Sequence, residues 1–377
     1  MKHEEEYKYP GQLIQHLLEQ NGWTKRVLST VLGVDESTVN KLISGAKRMD
    51  ANTALSLSEI FSVDANIFMR LQNTYDLALA TIKRKSDKGL EKKAKVFSSF
   101  PIQEMIKRGW INVDGIKDID VITNELKRFF QVDSLDEVSH MSYAAKKTDK
   151  DQSASGIQLA WMQRVKSLAH SMMVPAFSIA TCKKLIKDLE EYRVSAPALR
   201  SISDMIMRAG IRFVIVESLK GSKIDGVCLW LDENKPVIGM SLRFDRIDNF
   251  WFVLRHELEH VLRGHGKKSP AIDMGLMTSS EESSLSSVEE SLANKAALEF
   301  CVPQDKLKNF IDRKYPYFYS RDIIGFARTI NVHPGLVAGQ LRHKLNAYNR
   351  FGDHIVKIRS IVTRGALVDG WGDILTI

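Results

Sequence analysis

One stretch of this 377-residue chain decides its fold, because it combines a strongly apolar helix with two histidines and a glutamate. It reads Phe250-Trp251-Phe252-Val253-Leu254-Arg255-His256-Glu257-Leu258-Glu259-His260-Val261-Leu262-Arg263. His256 and His260 are four residues apart, so on an α-helix both imidazoles project from one face and can bind the same metal ion. Glu257 lies beside them and can serve as a general base. This spacing predicts a zinc-peptidase helix, with Zn²⁺ favoured over manganese as the cofactor.

A zinc site of this kind needs a third protein ligand from another helix, with the fourth position left for water. Glu290 is the best candidate, because it shares a helix face with Asn294, whose amide can orient a ligand histidine. Its neighbour Glu289 is expected to point elsewhere. His265 follows His260 by five residues, so we expect it to lie off the ligand face as a surface or loop histidine.

Three apolar, β-rich segments precede the zinc helix, at residues 211–216, 226–231 and 236–242. They predict a small antiparallel sheet. The third segment is either the sheet edge on which an extended peptide lies by strand addition, or part of the core. Candidates for stabilising an oxyanion lie downstream without a diagnostic spacing, and they are Tyr315, Tyr317, Tyr319 and His333.

The composition places the chain among globular proteins, and its formal net charge of +8 permits a polyanionic partner without requiring one. Cys182, Cys228 and Cys301 are far apart, which excludes a disulfide framework and favours buried thiols in a reducing compartment. The N-terminus lacks the apolar segment of a signal peptide, and no apolar run is long enough to span a bilayer. We therefore expect a cytoplasmic protein without a membrane partner.

Residues 12–80 have helical apolar spacing, and within them residues 23–42 predict two short helices joined at Gly33. Thr24 and Asp35 stand at the two N-cap positions. This pattern is typical of a helix-turn-helix, whose second helix enters the major groove of operator DNA. The predicted DNA contacts are Glu36, Ser37, Asn40 and Lys41 on that helix, followed by Lys47 and Arg48 for phosphates. A small helical bundle used for protein contacts has the same apolar faces and stays an alternative.

Basic residues are concentrated between residues 83 and 95, which favours a solvated linker or exposed helix end over a phosphate-contacting strap. Residues 100–208 are mostly helical in pattern, with a polar loop at 146–155. We divide the chain into a helix-turn-helix domain at 1–82, a basic linker and helical middle region at 83–195, and a zinc-peptidase domain with a helical C-terminal part at 196–377. The fold class is α+β and mainly helical, with an all-α first domain and a zincin-like last domain.

Two family resemblances cover nearly the whole chain. The first eighty or so residues resemble HigA-type antitoxins of the Xre helix-turn-helix class, including residues 53–55 and 71–77. The remainder is similar to ImmA/IrrE-type metallopeptidases, and Phe100-Pro101 and residues 108–111 fit the same fused architecture. The stretches that carry this second likeness are Phe250-Trp251-Phe252, residues 256–260, residues 290–294 with Pro303, and residues 333–341.

The second resemblance implies a gluzincin-like site with His256, His260 and Glu290 as ligands and Glu257 as the catalytic base. It also implies a protein that cleaves or controls repressors and stress regulators. Glu259 departs from the pattern, because the family usually has a small residue there. Leu292, Lys295 and Ala296 depart from it as well.

These observations predict a homodimeric, DNA-binding transcriptional regulator whose zinc-dependent endopeptidase domain cleaves a specific, repressor-like regulatory protein. The alternative is an antitoxin and autorepressor of a toxin-antitoxin system, which binds a cognate toxin while its metallopeptidase-like domain is non-catalytic. A protease fold whose chemistry has lapsed is compatible with the same sequence.

Overall fold

Residues 1–91 and 92–377 form two separate units in the computed structural model of this chain. The structure describes residues 7–83, 88–138, 146–147, 154–267, 271–274 and 288–372. No helix within these ranges is long and apolar enough to cross a membrane.

The described part of the first unit is built from short helices: α1 (Pro10–Gln20), α2 (Lys25–Leu32), α3 (Glu36–Ile43), α4 (Ala51–Phe61) and α5 (Ala65–Lys83). The side chains of Thr24 and Asp35 accept hydrogen bonds from the backbone at the starts of α2 and α3, as their sequence positions predict. Gly33 ends α2 at φ 67°, a left-handed conformation that glycine adopts without strain and that turns the chain into α3. Apolar residues from all of these helices form one core.

The second unit contains a mixed sheet with strand order β1-β5-β3-β4-β2-β6. The strands are β1 (Lys146–Lys147), β2 (Arg212–Val216), β3 (Ile224–Trp230), β4 (Pro236–Met240), β5 (Ala271–Met274) and β6 (Leu367–Asp369). The three predicted strands are present as β2, β3 and β4, but the prediction that the sheet is antiparallel is wrong in part. β4 inserts between β2 and β3, so it pairs antiparallel with β3 and parallel with β2.

The described helices beyond α5 are α6 (Lys88–Ser99), α7 (Ile102–Lys107), α8 (Ile119–Phe130), α9 (Gly156–His170), α10 (Ile179–Asp188), α11 (Ile202–Arg208), α12 (Ile247–Arg263), α13 (Val288–Cys301), α14 (Gln304–Lys314), α15 (Ser320–Thr329), α16 (Pro334–Lys344) and α17 (Arg359–Val362). Helices α9 and α12 pack on opposite faces of this sheet, and further helices surround them. Side chains of β2 alternate between two cores, with Phe213 and Ile215 packed in the core that contains α12, and Val214 and Val216 in the core that contains α9. A sheet buried on both faces explains why its strands read as continuous apolar runs.

Residues 92–195, most of the middle region assigned by sequence, are part of the same unit as the zinc helix. Trp161 of α9 donates a hydrogen bond from Nε1 to the carbonyl of Val216 at 3.1 Å. Arg164, one turn further along α9, is ion-paired with Asp369 of β6, and both side chains are buried. Residues from both sides of the proposed boundary at 195 thus pack around a common sheet.

The basic run between residues 83 and 95 spans the end of α5 and the first turns of α6. Lys92 and Lys95 are ion-paired with Asp120 and Asp136. These pairs favour the interpretation as exposed helix ends over a phosphate-contacting strap. Residues 148–153 of the predicted polar loop lie outside the described residues.

Candidate functional site

The zinc helix of the sequence analysis is α12, and it lies in the interior of the second unit. It contacts β3 and β4 on one side, and α10, α13 and α16 on the others. His256, Glu257 and His260 are each 0% exposed. Because the helix is surrounded in this way, it carries apolar residues on nearly every side. Its few buried polar residues therefore mark a candidate functional site.

The three predicted ligands converge at one point in the core. The Nε2 atoms of His256 and His260 are 3.0 Å apart. Glu290 of α13 brings its two carboxylate oxygens to 3.3 Å from Nε2 of His256 and 3.5 Å from Nε2 of His260. Ligand atoms about 2.0–2.1 Å from a tetrahedral zinc ion stand roughly 3.3–3.4 Å from one another. The three side chains can therefore hold a metal ion, and the donor set suits zinc.

Glu257 packs against β3 at Gly226, a residue that the sequence analysis did not single out. A Cβ atom built on Gly226 would lie 2.1 Å from Oε1 of Glu257 and 2.9 Å from its Cδ. Only a glycine leaves room for the carboxylate at this point of the strand. The available signal was a glycine inside an otherwise apolar strand, which often marks a close approach by another group.

His265 lies in the turn after α12 and outside the group formed by His256, His260 and Glu290, which agrees with its prediction as a loop histidine off the ligand face, but its ring contacts one of the predicted ligands. Its Nδ1 lies 2.9 Å from Nδ1 of His260, on the side of that ring opposite the site. Its Nε2 lies 4.0 Å from Oε1 of Glu289. Helical periodicity does not predict this contact, because α12 ends at Arg263 and Gly264, at φ 70°, changes the chain direction.

Asn294 is half-buried on α13 and makes no hydrogen bond to His256 or His260 among the described residues. The predicted orienting role of its amide is therefore not seen in this structure. The contact to the far side of a ligand ring comes from His265 instead. Asn294 lies one helical turn beyond Glu290, so a shared helix face alone did not bring its amide to the histidines.

Glu259 is buried on α12 and is paired with two arginines of the same helix. Its carboxylate accepts a hydrogen bond from Arg255 at 2.8 Å and another from Arg263 at 2.6 Å. Burial raises the pKa of Glu259, but the hydrogen bonds and charges of the two arginines outweigh this effect and hold it below the usual range. An acid is thus accommodated where the resembling family has a small residue.

The remaining candidate residues that the sequence offered have other surroundings. β4 lies between β3 and β2, so of the two interpretations offered for residues 236–242 the structure supports the core rather than the edge. His333 caps α16, with its Nδ1 accepting a hydrogen bond from the backbone of Gly335 at 3.0 Å. Tyr315, Tyr317 and Tyr319 are exposed.

The predicted DNA contacts lie on the solvent side of α3 in the first unit. Glu36, Ser37, Asn40 and Lys41 are exposed, while Val39 and Leu42 on the opposite face are buried. Lys47 is exposed just beyond the helix, with its backbone N–H bonded to the carbonyl of Lys41 at 2.9 Å. The helix thus presents the predicted polar face to solvent.

Two charges next to this face are already engaged within the unit. Asp35 accepts hydrogen bonds from the hydroxyl and the backbone of Thr38, and these bonds lower the pKa of its carboxyl. Arg48, a predicted phosphate contact, is paired with Asp76 of α5 at 2.7 Å. Lys41 and Lys47 are therefore better placed than Arg48 to contact phosphates.

Comparison with known proteins identifies the N-terminal domain. A family model described as helix-turn-helix matches residues 14–68. The chain is also similar to Virulence-associated protein I of Dichelobacter nodosus, with 29% identity over 79 residues, which are 21% of this chain and 73% of that protein. No solved structure matches the chain significantly.

These findings establish a helix-turn-helix domain and support a DNA-binding regulator. The family match ends at residue 68, so the resemblance of the second unit to ImmA/IrrE-type metallopeptidases stays a prediction.

Proposed function

We propose that this chain is a DNA-binding transcriptional regulator whose second unit is a zinc-dependent endopeptidase that cleaves a specific regulatory protein. The observation that carries the proposal is the convergence of His256, His260 and Glu290 at one point of the core, with Glu257 buried at the position of α12 that follows His256. Two imidazoles and one carboxylate leave a further coordination position, which is the donor set of catalytic rather than structural zinc sites.

The metal would be held by Nε2 of His256, Nε2 of His260 and the carboxylate of Glu290. When bound, zinc supplies Lewis-acid chemistry, polarising a peptide carbonyl and lowering the pKa of a water molecule. The chain's own contribution is the rigid placement of these donors on two packed helices, α12 and α13.

Glu257 is the general base of the proposed reaction. Its carboxylate takes the proton of the attacking water and passes it to the nitrogen of the leaving amine, so that one residue serves both proton transfers. Its position between α12 and Gly226 of β3 restricts the directions in which the carboxylate can turn. Burial also excludes bulk water from this group.

The first unit would bind operator DNA through α3. Ser37, Asn40 and Lys41 face the base edges, Glu36 can accept a hydrogen bond from cytosine, and Lys47 contacts a phosphate. A homodimer would place two such helices on half-sites about 34 Å apart. The proposed substrate of the second unit is a repressor-like protein acting in the same regulation.

Metal analysis tests the catalytic half of the proposal. We expect about one zinc ion per chain in the wild type and its loss in the His260→Ala and Glu290→Ala variants. Glu257→Gln should retain zinc and abolish cleavage, because it removes the base and leaves the ligands intact. A metal-free wild type, or a Glu257→Gln variant that regulates normally, would instead favour the antitoxin and autorepressor that binds a cognate toxin.

DNA binding is tested independently on the first unit of the full chain. Asn40→Ala and Lys41→Ala should each weaken operator binding, and Lys41→Ala should also reduce its salt dependence if Lys41 contacts a phosphate. Lys83→Ala is the charge-matched control, because Lys83 is an exposed lysine at the end of α5 and is separated from α3 by forty residues of sequence. Wild-type affinity for the operator in Asn40→Ala and Lys41→Ala, as in the Lys83→Ala control, would contradict the assignment of α3.

A further inference from the structure

We propose that His265, supported by Glu289, positions the ligand His260 and fixes its tautomer. The inference rests on the proposed metal site, because the orientation of His260 matters for function only if that ring binds a metal. No part of it requires His265 to bind the metal itself.

The geometry assigns the protons of both rings. To bind a metal through Nε2, a neutral His260 carries its proton on Nδ1. That nitrogen is 2.9 Å from Nδ1 of His265, so His260 donates and His265 accepts. The proton of His265 is then on Nε2, the atom that faces Glu289. In this arrangement one tautomer of each ring fits both contacts, with the proton on Nδ1 of His260 and on Nε2 of His265.

Glu289 acts at longer range than a direct hydrogen bond. Its Oε1 is 4.0 Å from Nε2 of His265, which is compatible with a charge interaction or a bridging water. A negative charge on this side favours the tautomer of His265 that keeps its Nδ1 free of a proton. We therefore expect Glu289 to contribute less than His265.

The backbone around His265 holds the ring in place. Its N–H donates to the carbonyl of His260 at 2.9 Å, and its own carbonyl accepts from Nε1 of Trp230 at 2.8 Å. Gly266, at φ 83°, brings the chain so close to β3 that an added Cβ would lie 2.7 Å from the carbonyl oxygen of Cys228. The turn after the zinc helix is thus anchored to both α12 and the sheet.

Such a contact on the far side of a ligand ring has a measurable effect. Partners that hydrogen-bond a metal-ligating histidine fix its ring orientation and raise its basicity, and their loss typically weakens metal affinity about 10–100-fold. His265 occupies this position for His260, while Asn294, the residue that the sequence favoured for it, does not.

The experiment measures the zinc affinity of the full-length protein by competition with a chelator, beside thermal unfolding of the metal-free protein. We expect His265→Leu to weaken zinc binding about 10–100-fold and Glu289→Gln to weaken it by less. His265→Asn should restore most of the affinity, because its amide oxygen can accept the hydrogen bond in place of Nδ1. The exposed His170 of α9, replaced by leucine, is the control and should bind as the wild type does.

The outcomes separate this inference from the proposed function. If the wild type and His265→Leu bind zinc equally, the positioning role is refuted while the metal site stands. If His265→Leu and His265→Asn lose affinity alike, or if the metal-free leucine variant unfolds at a lower temperature, packing rather than hydrogen bonding is responsible and the inference fails. If the wild type binds no zinc, the proposed function fails first and the inference falls with it.

Discussion

Replacing Gly226 with alanine tests whether Glu257 occupies the position seen in the structure. The added Cβ would lie 2.1 Å from Oε1 and 2.9 Å from Cδ of Glu257, and 3.0 Å from Cγ1 of Val253. All three distances are well inside van der Waals contact. Gly226 lies in the extended backbone of β3, so alanine suits the local conformation and the penalty comes from the collision alone.

The expected magnitude is that of overpacking a closed core, about 1–3 kcal/mol of lost stability. The clash involves the carboxylate end of the flexible Glu257 side chain. Because this residue is 0% exposed, turning its carboxylate away displaces other buried groups. Denaturant unfolding followed by tryptophan fluorescence measures the loss. Apart from Trp23, all tryptophans of the chain lie in the second unit, so this signal reports mainly on the unit concerned.

Two further variants make the result specific. Gly325→Ala is the matched control, because its Cβ would meet nothing within 4 Å, and in α15 it should stabilise by roughly 0.5–1 kcal/mol. Combining Gly226→Ala with Glu257→Ala should relieve the clash. The stability lost by the double variant should therefore be smaller than the sum of the two single losses, by about 1 kcal/mol or more. Additive effects, or a Gly226→Ala variant as stable as the wild type, would refute the close packing of Glu257 on β3.

Three further predictions concern the charges that shape the two units. Since the folded pKa of Glu259 is depressed, its contribution to stability is present above its ordinary pKa and is lost as the pH falls through the lowered value. The free energy of unfolding should therefore fall less between neutral pH and about pH 4 in Glu259→Gln than in the wild type. Arg164→Met should cost about 3–5 kcal/mol by leaving the buried carboxylate of Asp369 without its arginine, and the double variant with Asp369→Asn should recover part of this loss in the same unfolding assay. Asp35→Ala should lower the melting temperature of the first unit by removing the N-cap of α3, whereas Asp35→Asn, which can still accept from the backbone of Thr38, should melt close to the wild type.

The sequence was informative wherever one helical period relates the residues concerned. His256 and His260 are brought together by a single turn of α12, and the caps at Thr24 and Asp35 act within three residues of chain. Glu290 was found because a second helix carrying an acid was needed, and α13 supplies it. These relations are local or follow from the chemistry of the ligand set.

Other features depend on contacts between segments that are distant in sequence, and the helical and strand periodicity of the sequence does not predict such contacts. The insertion of β4 between β2 and β3 decides that the sheet is mixed, and no property of the three strands alone distinguishes this order from a simple meander. The contact between Gly226 and Glu257 joins a strand to a helix across the core. The contact of His265 with His260 was not predicted, because the chain leaves the helical path at Gly264 and helical spacing no longer applies beyond it.

The polar residues of α12 divide into two groups, and the division bears on the metal. Glu259 is neutralised by arginines one turn before and one turn after it, which is how a structural carboxylate is accommodated inside a helix bundle. His256 and His260 instead meet a carboxylate from a second helix, so that three donors approach within 3.5 Å of one another. Under the proposed function, a bound cation would account for the convergence of all three donors at one point, and Glu257 is the residue that follows His256 on the helix.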